Sequence, residues 1–117
     1  MKKIYYLSSC NTCKRILNEL NLPDDVVLQE VKTEAVTEVQ LDEMKALSGS
    51  YEALFNRRSQ LYRKQGLAEK ELSESDYKTL ILSHYTFLKR PVAVVKGEIF
   101  IGNSKKVVEA AKQAIHG

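Results

Sequence analysis

The chain is expected to fold as a single α/β domain over residues 1–117, on a mixed sheet of about four strands, with a helical insertion at approximately 36–88 between a β-α-β half and a β-β-α half. Three observations predict this. Two short apolar runs flank one amphipathic helical stretch at the start of the chain. The middle carries helix caps and helical spacing without a strand pattern. After Arg90-Pro91 the apolar residues gather into two short runs around a turn, followed by one more helical stretch.

Ile4 to Leu7 is a short Tyr- and Ile-containing run that suits a buried strand. Ile16, Leu17 and Leu20 recur at helical spacing, and Leu22-Pro23 is expected to close that helix, because proline cannot continue it. Val26 to Val31 reads as a second strand, so the opening has the length of a right-handed parallel crossover. Thr37-Glu38-Val39-Gln40 is a capping box with Val36 and Leu41 as its hydrophobic staple. Leu41, Met44 and Leu47 form the predicted apolar stripe, and Gly49 stops the helix.

Tyr51, Leu54 and Phe55 begin a short helix after Ser50, and Leu61 and Tyr62 belong to a further turn ending at Gly66. Ser73 or Ser75 can cap a helix carrying Tyr77, Leu80, Ile81 and His84. Val92 to Val95 and Glu98 to Ile101, separated by Lys96-Gly97, read as a hairpin with a tight turn. The last helix places Val107, Val108, Ala111 and Ile115 on one face.

Composition bounds the function. With 117 residues, 44% hydrophobic and 28% charged, the chain can bury a core without structural disulfides or metal. The net charge of +3 is small and its basic residues are interleaved with acidic ones, which gives no direct indication of nucleic-acid binding. The apolar run after Lys2-Lys3 is too short for a secretory signal, and no stretch approaches a membrane span. The expected location is the cytoplasm, where a close cysteine pair reads as catalytic or sensing rather than structural.

That pair is Cys10 and Cys13, the only cysteines, in Ser8-Ser9-Cys10-Asn11-Thr12-Cys13-Lys14-Arg15. Cys10 would stand at or beside a helix N-cap, where unpaired N–H groups and the positive end of the helix favour a thiolate, and Cys13 about one turn inside. Cys10 is therefore the expected nucleophile, and Cys13 can attack a sulfur adduct on it and release it as a disulfide. A structural zinc site wants four ligands, and only His84 and His116 accompany the pair, so no metal is expected. Two inert cysteines packed as small apolar residues are the plain alternative.

Taken together, Tyr6-Leu7-Ser8-Ser9-Cys10-Asn11-Thr12-Cys13, Phe55-Asn56-Arg57-Arg58-Ser59-Gln60-Leu61-Tyr62 with Gly66-Leu67, and Leu88-Lys89-Arg90-Pro91-Val92 resemble the arsenate reductase family. That family is related to glutaredoxin and has a thioredoxin-like fold. The resemblance covers nearly the whole chain. It implies that Cys10 attacks an oxyanion such as arsenate, that Arg90 holds the anion, and that Asn11, Thr12 and Pro91 border it. Guanidinium groups and helix N–H donors would offset the repulsion between thiolate and anion.

Arg58 is assigned as a second arginine by a spacing to Tyr62 like that in the Spx transcription regulators of the same superfamily. The spacing of the well-studied arsenate reductases would put Asn56 there instead. Asn103 stands where a third arginine is often found, and Tyr6 where a histidine can precede the nucleophile. Many such reductases lack the second cysteine and use glutathione, a task Cys13 can take over internally. In thioredoxin-like folds the proline at the Pro91 position is commonly cis.

The resemblance thus implies a thiol-dependent oxidoreductase of small oxyanion or disulfide substrates. It needs no tightly bound cofactor and is reset by an external reductant, thioredoxin or glutaredoxin with glutathione. The alternative it implies is an Spx-like regulator that binds the RNA polymerase α-subunit and uses Cys10 and Cys13 as a disulfide switch. A third reading is a chain with this fold and no turnover. Arg57, Arg63 and Lys64 are expected as solvated charges, His84 as a packing or surface residue and His116 as a frayed tail. The six tyrosines are expected in the core, with Tyr6 nearest the thiol.

Overall fold

In the computed structural model, which describes residues 2–117, the elements run β1 (Lys2–Tyr6), α1 (Asn11–Leu20), β2 (Val26–Glu30), α2 (Glu38–Ser48), α3 (Gln60–Lys64), α4 (Glu74–Ser83), β3 (Val92–Val95), β4 (Glu98–Ile101) and α5 (Lys105–His116). Single 3-10 turns lie at Glu52–Leu54, Leu67–Glu69 and Tyr85–Phe87. The elements gather into two compact units, one formed by the chain up to Glu34 with Arg90–Gly117, the other by Ala35–Lys89.

The first unit is a four-stranded mixed sheet in the order β2-β1-β3-β4. β1 and β2 run parallel, with Lys2 beside Val26 and Tyr6 beside Glu30, as a crossover through α1 requires. β3 pairs antiparallel with β1 and β4 antiparallel with β3. The β3–β4 turn is Lys96 (φ 50°) and Gly97 (φ 81°), both in the left-handed region that a two-residue turn matched to strand twist demands. On one face of the sheet, Ile4, Ala93 and Val95 pack with Ile16 and Leu20 of α1 and with Val108, Ala111 and Ile115 of α5. Each large side chain buried in this way contributes about 1.5–3 kcal/mol.

α1 ends earlier than Leu22-Pro23. Asn21 closes it in the left-handed conformation (φ 49°), its N–H bonded to Asn18 O, because asparagine tolerates that conformation and leaves proline nothing to break. β1 likewise starts at Lys2 and stops at Tyr6, before Leu7. The C-terminus of α5 is tied down rather than frayed. His116 Nε2 lies 2.7 Å from the carbonyl oxygen of Leu20, a C-terminal acceptor of α1.

In the second unit, Thr37 and Gln40 form the capping box of α2, and Gly49 (φ 94°) closes the helix. Ser73, not Ser75, caps α4, in a reciprocal pair with Asp76. Leu41 and Met44 are buried, whereas Leu47 is 37% exposed, so the α2 stripe is narrower than its spacing implies. Phe55 is completely buried and stacks on Phe87 at 5.4 Å, with Tyr77 at 4.9 Å and Tyr62 at 5.8 Å. An isolated bridge joins Phe55 to Leu88, extended by Asn56 N–H to Phe87 O and Lys89 N–H to Leu54 O.

Several side chains carry contacts the spacing does not show. Arg57 is exposed, as expected, and its guanidinium donates to Glu52 Oε2 at 2.7 Å and Tyr77 Oη at 2.9 Å. Only Tyr5 and Tyr77 are buried; the other four tyrosines keep an exposed edge, as an amphipathic ring can. Tyr51, for example, donates its hydroxyl to Asp42. His84 has a defined task, accepting the Thr86 N–H at Nδ1 to cap the Tyr85–Phe87 turn.

Candidate active site

Cys10 occupies the junction of β1 and α1. The last β1 residue is Tyr6, the Cys10 N–H returns to Leu7 O at 3.2 Å, and the Lys14 N–H reaches Cys10 O at 3.1 Å as the first turn of α1 closes. Its backbone (φ −93°, ψ 114°) is extended, as an N-cap residue's should be. No acidic residue stands in the first turn of α1 to neutralise its positive end. Lys14 and Arg15 are exposed on the helix surface, where solvent screens them.

The two cysteines are unbridged and differ in environment: Cys10 is half-buried and Cys13 is wholly buried. Partial burial opposes ionisation of Cys10. The N–H and thiol of Cys13, the N–H of Thr12 and the charge of Arg90 together outweigh it and hold its pKa below the ordinary thiol value. The Cys10 side chain makes no regular N-cap hydrogen bond. Burial pushes Cys13 the other way, to about 11, with the neighbouring Cys10 adding to the rise and the Leu7 backbone and Arg90 partly offsetting it.

Arg90 arrives through sheet register. Val92 of β3 lies opposite Tyr5, so the residues just before β3 fall at the C-terminal end of β1, where the cysteine loop leaves the sheet. The Arg90-Pro91 bond is cis. Pro91 is buried, and its carbonyl accepts the Gly102 N–H at 2.9 Å. Asn11 is exposed at the first position of α1 and Thr12 half-buried at the second. Cys10, Asn11, Thr12, Cys13, Arg90 and Pro91 therefore all belong to the sheet unit, with both thiols in the field of Arg90.

Arg58 belongs to the other unit, where it is exposed and its N–H donates to Asn56 Oδ1. Asn56 also donates through Nδ2 to Thr86 O at 2.9 Å, a pair of bonds that marks it as a brace of its own loop. Asn103 is exposed in the turn after β4. Among the described residues, no group of three or more His, Cys, Asp or Glu side chains is arranged to hold a metal ion.

Glu30 was not visible as a site residue in the sequence. At the end of β2 its Oε1 accepts the N–H and hydroxyl of Ser8 (3.0 and 3.1 Å), while its Oε2 accepts the N–H groups of Lys32 and Thr33 (2.7 and 2.8 Å) and the Thr33 hydroxyl (3.2 Å). Some desolvation opposes its ionisation, but the donors from Ser8, Thr33 and Lys32 prevail and hold the carboxyl down at about 2. The only advance signal is an acidic residue closing a strand parallel to the one that feeds the cysteine loop.

The sequence profile of the ArsC family matches residues 5–111. No curated protein sequence is a match for the chain. Among solved structures, a possible arsenate reductase from Streptococcus mutans UA159 superposes with a TM-score of 0.72 at 28% identity, covering 90% of this chain and 92% of its own. An arsenate reductase from Vibrio cholerae gives a TM-score of 0.78 at 17% identity, covering 97% and 96%. An arsenate reductase related protein from Brucella melitensis gives 0.69 at 24%, covering 93% and 92%. The sheet and its helices are those of the thioredoxin-like fold.

Proposed function

We propose, for a chain that belongs to the ArsC family, a thiol-dependent reductase in which Cys10 is the nucleophile and Cys13 the resolving thiol. The observation that carries this reading is the divergence of two thiols three residues apart. One is half-exposed and held toward the thiolate, the other buried and held as the thiol until needed.

With arsenate as substrate, the Cys10 thiolate displaces an oxygen of the As(V) centre, which leaves as water, and an S–As bond forms. Arg90 offsets the charge of the adduct. The Cys13 sulfur, losing its proton, attacks Cys10 Sγ. The S–S bond forms as the S–As bond breaks, and its electron pair stays on arsenic as As(III). Two thiols are oxidised and one arsenic is reduced by two electrons. An external dithiol, thioredoxin or glutaredoxin with glutathione, then reduces the Cys10–Cys13 disulfide in a reducing compartment such as the cytoplasm. A small or protein disulfide enters the same sequence with a thiol as leaving group.

The test is arsenate-dependent consumption of reductant with each donor system. Turnover abolished by Cys10→Ser and redirected toward glutathione by Cys13→Ser supports the reading. No turnover in either system removes arsenate as the substrate.

The exposed Asn103 in place of a third arginine favours a second reading, an Spx-like regulator whose Cys10–Cys13 disulfide switches binding to the carboxy-terminal domain of the RNA polymerase α-subunit. A pull-down with that domain under oxidising and reducing conditions tests it, and absence of binding in both states eliminates it.

A further inference from the structure

We infer that Glu30 is a positioning residue for Cys10, acting as a two-sided clamp that fixes the loop delivering the nucleophile to the N-terminus of α1. The inference rests on Cys10 being the reactive thiol.

The geometry is divided between the two carboxylate oxygens. Oε1 takes both donors of Ser8, on the loop that leads into Cys10, and Oε2 takes the donors of Lys32 and Thr33, in the turn that follows β2. No cation pairs with Glu30 among the salt bridges of the described residues, so donors of these two loops satisfy the charge. The parallel pairing of Tyr6 with Glu30, continued by Val31 N–H to Tyr6 O at 2.9 Å, sets the carboxylate beside the loop. Ser8 lies inside the short turn closed by Cys10 N–H to Leu7 O. Anchoring Ser8 therefore fixes the approach of Cys10 to the N–H groups of Thr12 and Cys13, whose influence on sulfur falls off within the first helical turn.

A carboxylate suits this place because it accepts on both sides. Glutamine keeps size and shape but presents one acceptor oxygen and one NH2 group, so one arm of the clamp must face donors with a donor. The direction of the expected effect is diagnostic. Removing a negative charge near a thiol by itself favours the thiolate and speeds its reaction. Loosening the loop withdraws the N–H groups and slows it.

The experiment is the pH-dependent rate of iodoacetamide alkylation at Cys10, read by mass spectrometry in full-length native chain, Glu30→Gln and His116→Ala. His116→Ala controls for general loss of stability far from the loop along the chain. The expected result at pH 7 is a rate for Glu30→Gln lower by about threefold, the most that a rise of about half a pKa unit gives, with His116→Ala unchanged. A folded Glu30→Gln that reacts at the native rate or faster overturns the inference, as does equal slowing in His116→Ala. Should Glu30→Gln fail to fold, Ser8→Ala removes one donor from the Oε1 arm and must slow alkylation in the same direction; an unchanged rate overturns the clamp. If Cys10 of the native chain shows no enhanced ionisation over a free thiol, the reading of Cys10 as nucleophile fails and the clamp falls with it. If it does and the variants match it, only the clamp fails.

Discussion

The imidazole of His116 lies 2.7 Å through Nε2 from the carbonyl oxygen of Leu20, joining the last turn of α5 to the last turn of α1 across 96 positions of sequence. A carbonyl is only an acceptor, so Nε2 carries the proton in this contact. The bond gives an end-of-helix carbonyl of α1 a partner that the helix itself cannot supply. His116→Ala is expected to lower stability in chemical denaturation by about 0.5–1.5 kcal/mol, the net worth of a typical hydrogen bond. A value indistinguishable from zero would show that water serves Leu20 equally well.

Glu30 ties stability to acid pH. Its folded pKa, about 2, lies below the ordinary 4.5, so the folded chain binds the proton less readily than the unfolded one. The contribution is then fully present above pH 4.5 and is lost as pH falls toward about 2. Asp42 and Asp76 are also shifted downward and share this direction, Asp42 chiefly through the Tyr51 hydroxyl and Asp76 through Ser73. Denaturation midpoints at pH 6 and pH 3 separate them: the native chain should lose more stability over that interval than Glu30→Gln. Equal losses would mean that Glu30 contributes nothing through its charge.

Phe55 is the centre of the Ala35–Lys89 unit, wholly buried and in ring contact with Tyr62, Tyr77 and Phe87. Phe55→Ala should cost about 3–5 kcal/mol, while Phe55→Leu, which keeps most of the volume, should cost far less. Thermal melts of the two variants check the order. A mild effect of the alanine variant would mean that the neighbouring rings close the cavity.

The thiols should titrate apart. Cys10 is held below the ordinary thiol value by the Cys13 and Thr12 groups and Arg90 acting against burial, and Cys13 is raised to about 11, chiefly by burial. In Cys13→Ser the surviving thiol is expected to alkylate rapidly at neutral pH. In Cys10→Ser the Cys13 thiol should stay inert well into the alkaline range. Arg90→Gln removes one contribution to Cys10 ionisation and should slow alkylation of Cys10 at neutral pH. Similar pH profiles for the two cysteines would contradict the division of labour.

What was legible in the sequence is what local chemistry decides. The Thr37–Gln40 box, the Gly49 stop, the Lys96-Gly97 turn and the placement of Cys10 at a helix start each depend on a few adjacent residues, and each is present in the structure. Residues whose role depends on register between distant segments were not legible. Glu30 reads as an ordinary polar strand end until β2 is laid beside β1, and His116 as a loose tail until α5 is laid beside α1. Arg57 is exposed as expected, but its bond to Tyr77, 20 positions away, was not legible for the same reason. The cysteines and Arg90-Pro91 were legible as candidates, and the structure brings them into one unit with both thiols in the field of Arg90, because the motif and the strand that follows it are both local. Arg58 was placed by spacing alone, and its one hydrogen bond given by this structure is a local one from its backbone to Asn56.

The central claim is that Cys10 attacks and Cys13 resolves, and the most direct measurement is the fate of an adduct formed with a small aromatic disulfide, followed by leaving-group absorbance and intact mass. The native chain should release a second equivalent of aromatic thiol and finish as the unadducted Cys10–Cys13 disulfide. Cys13→Ser should stop with the aromatic group on Cys10, and Cys10→Ser should react slowly. A native chain that keeps a stable adduct on Cys10, or that is modified first at Cys13, would contradict the account.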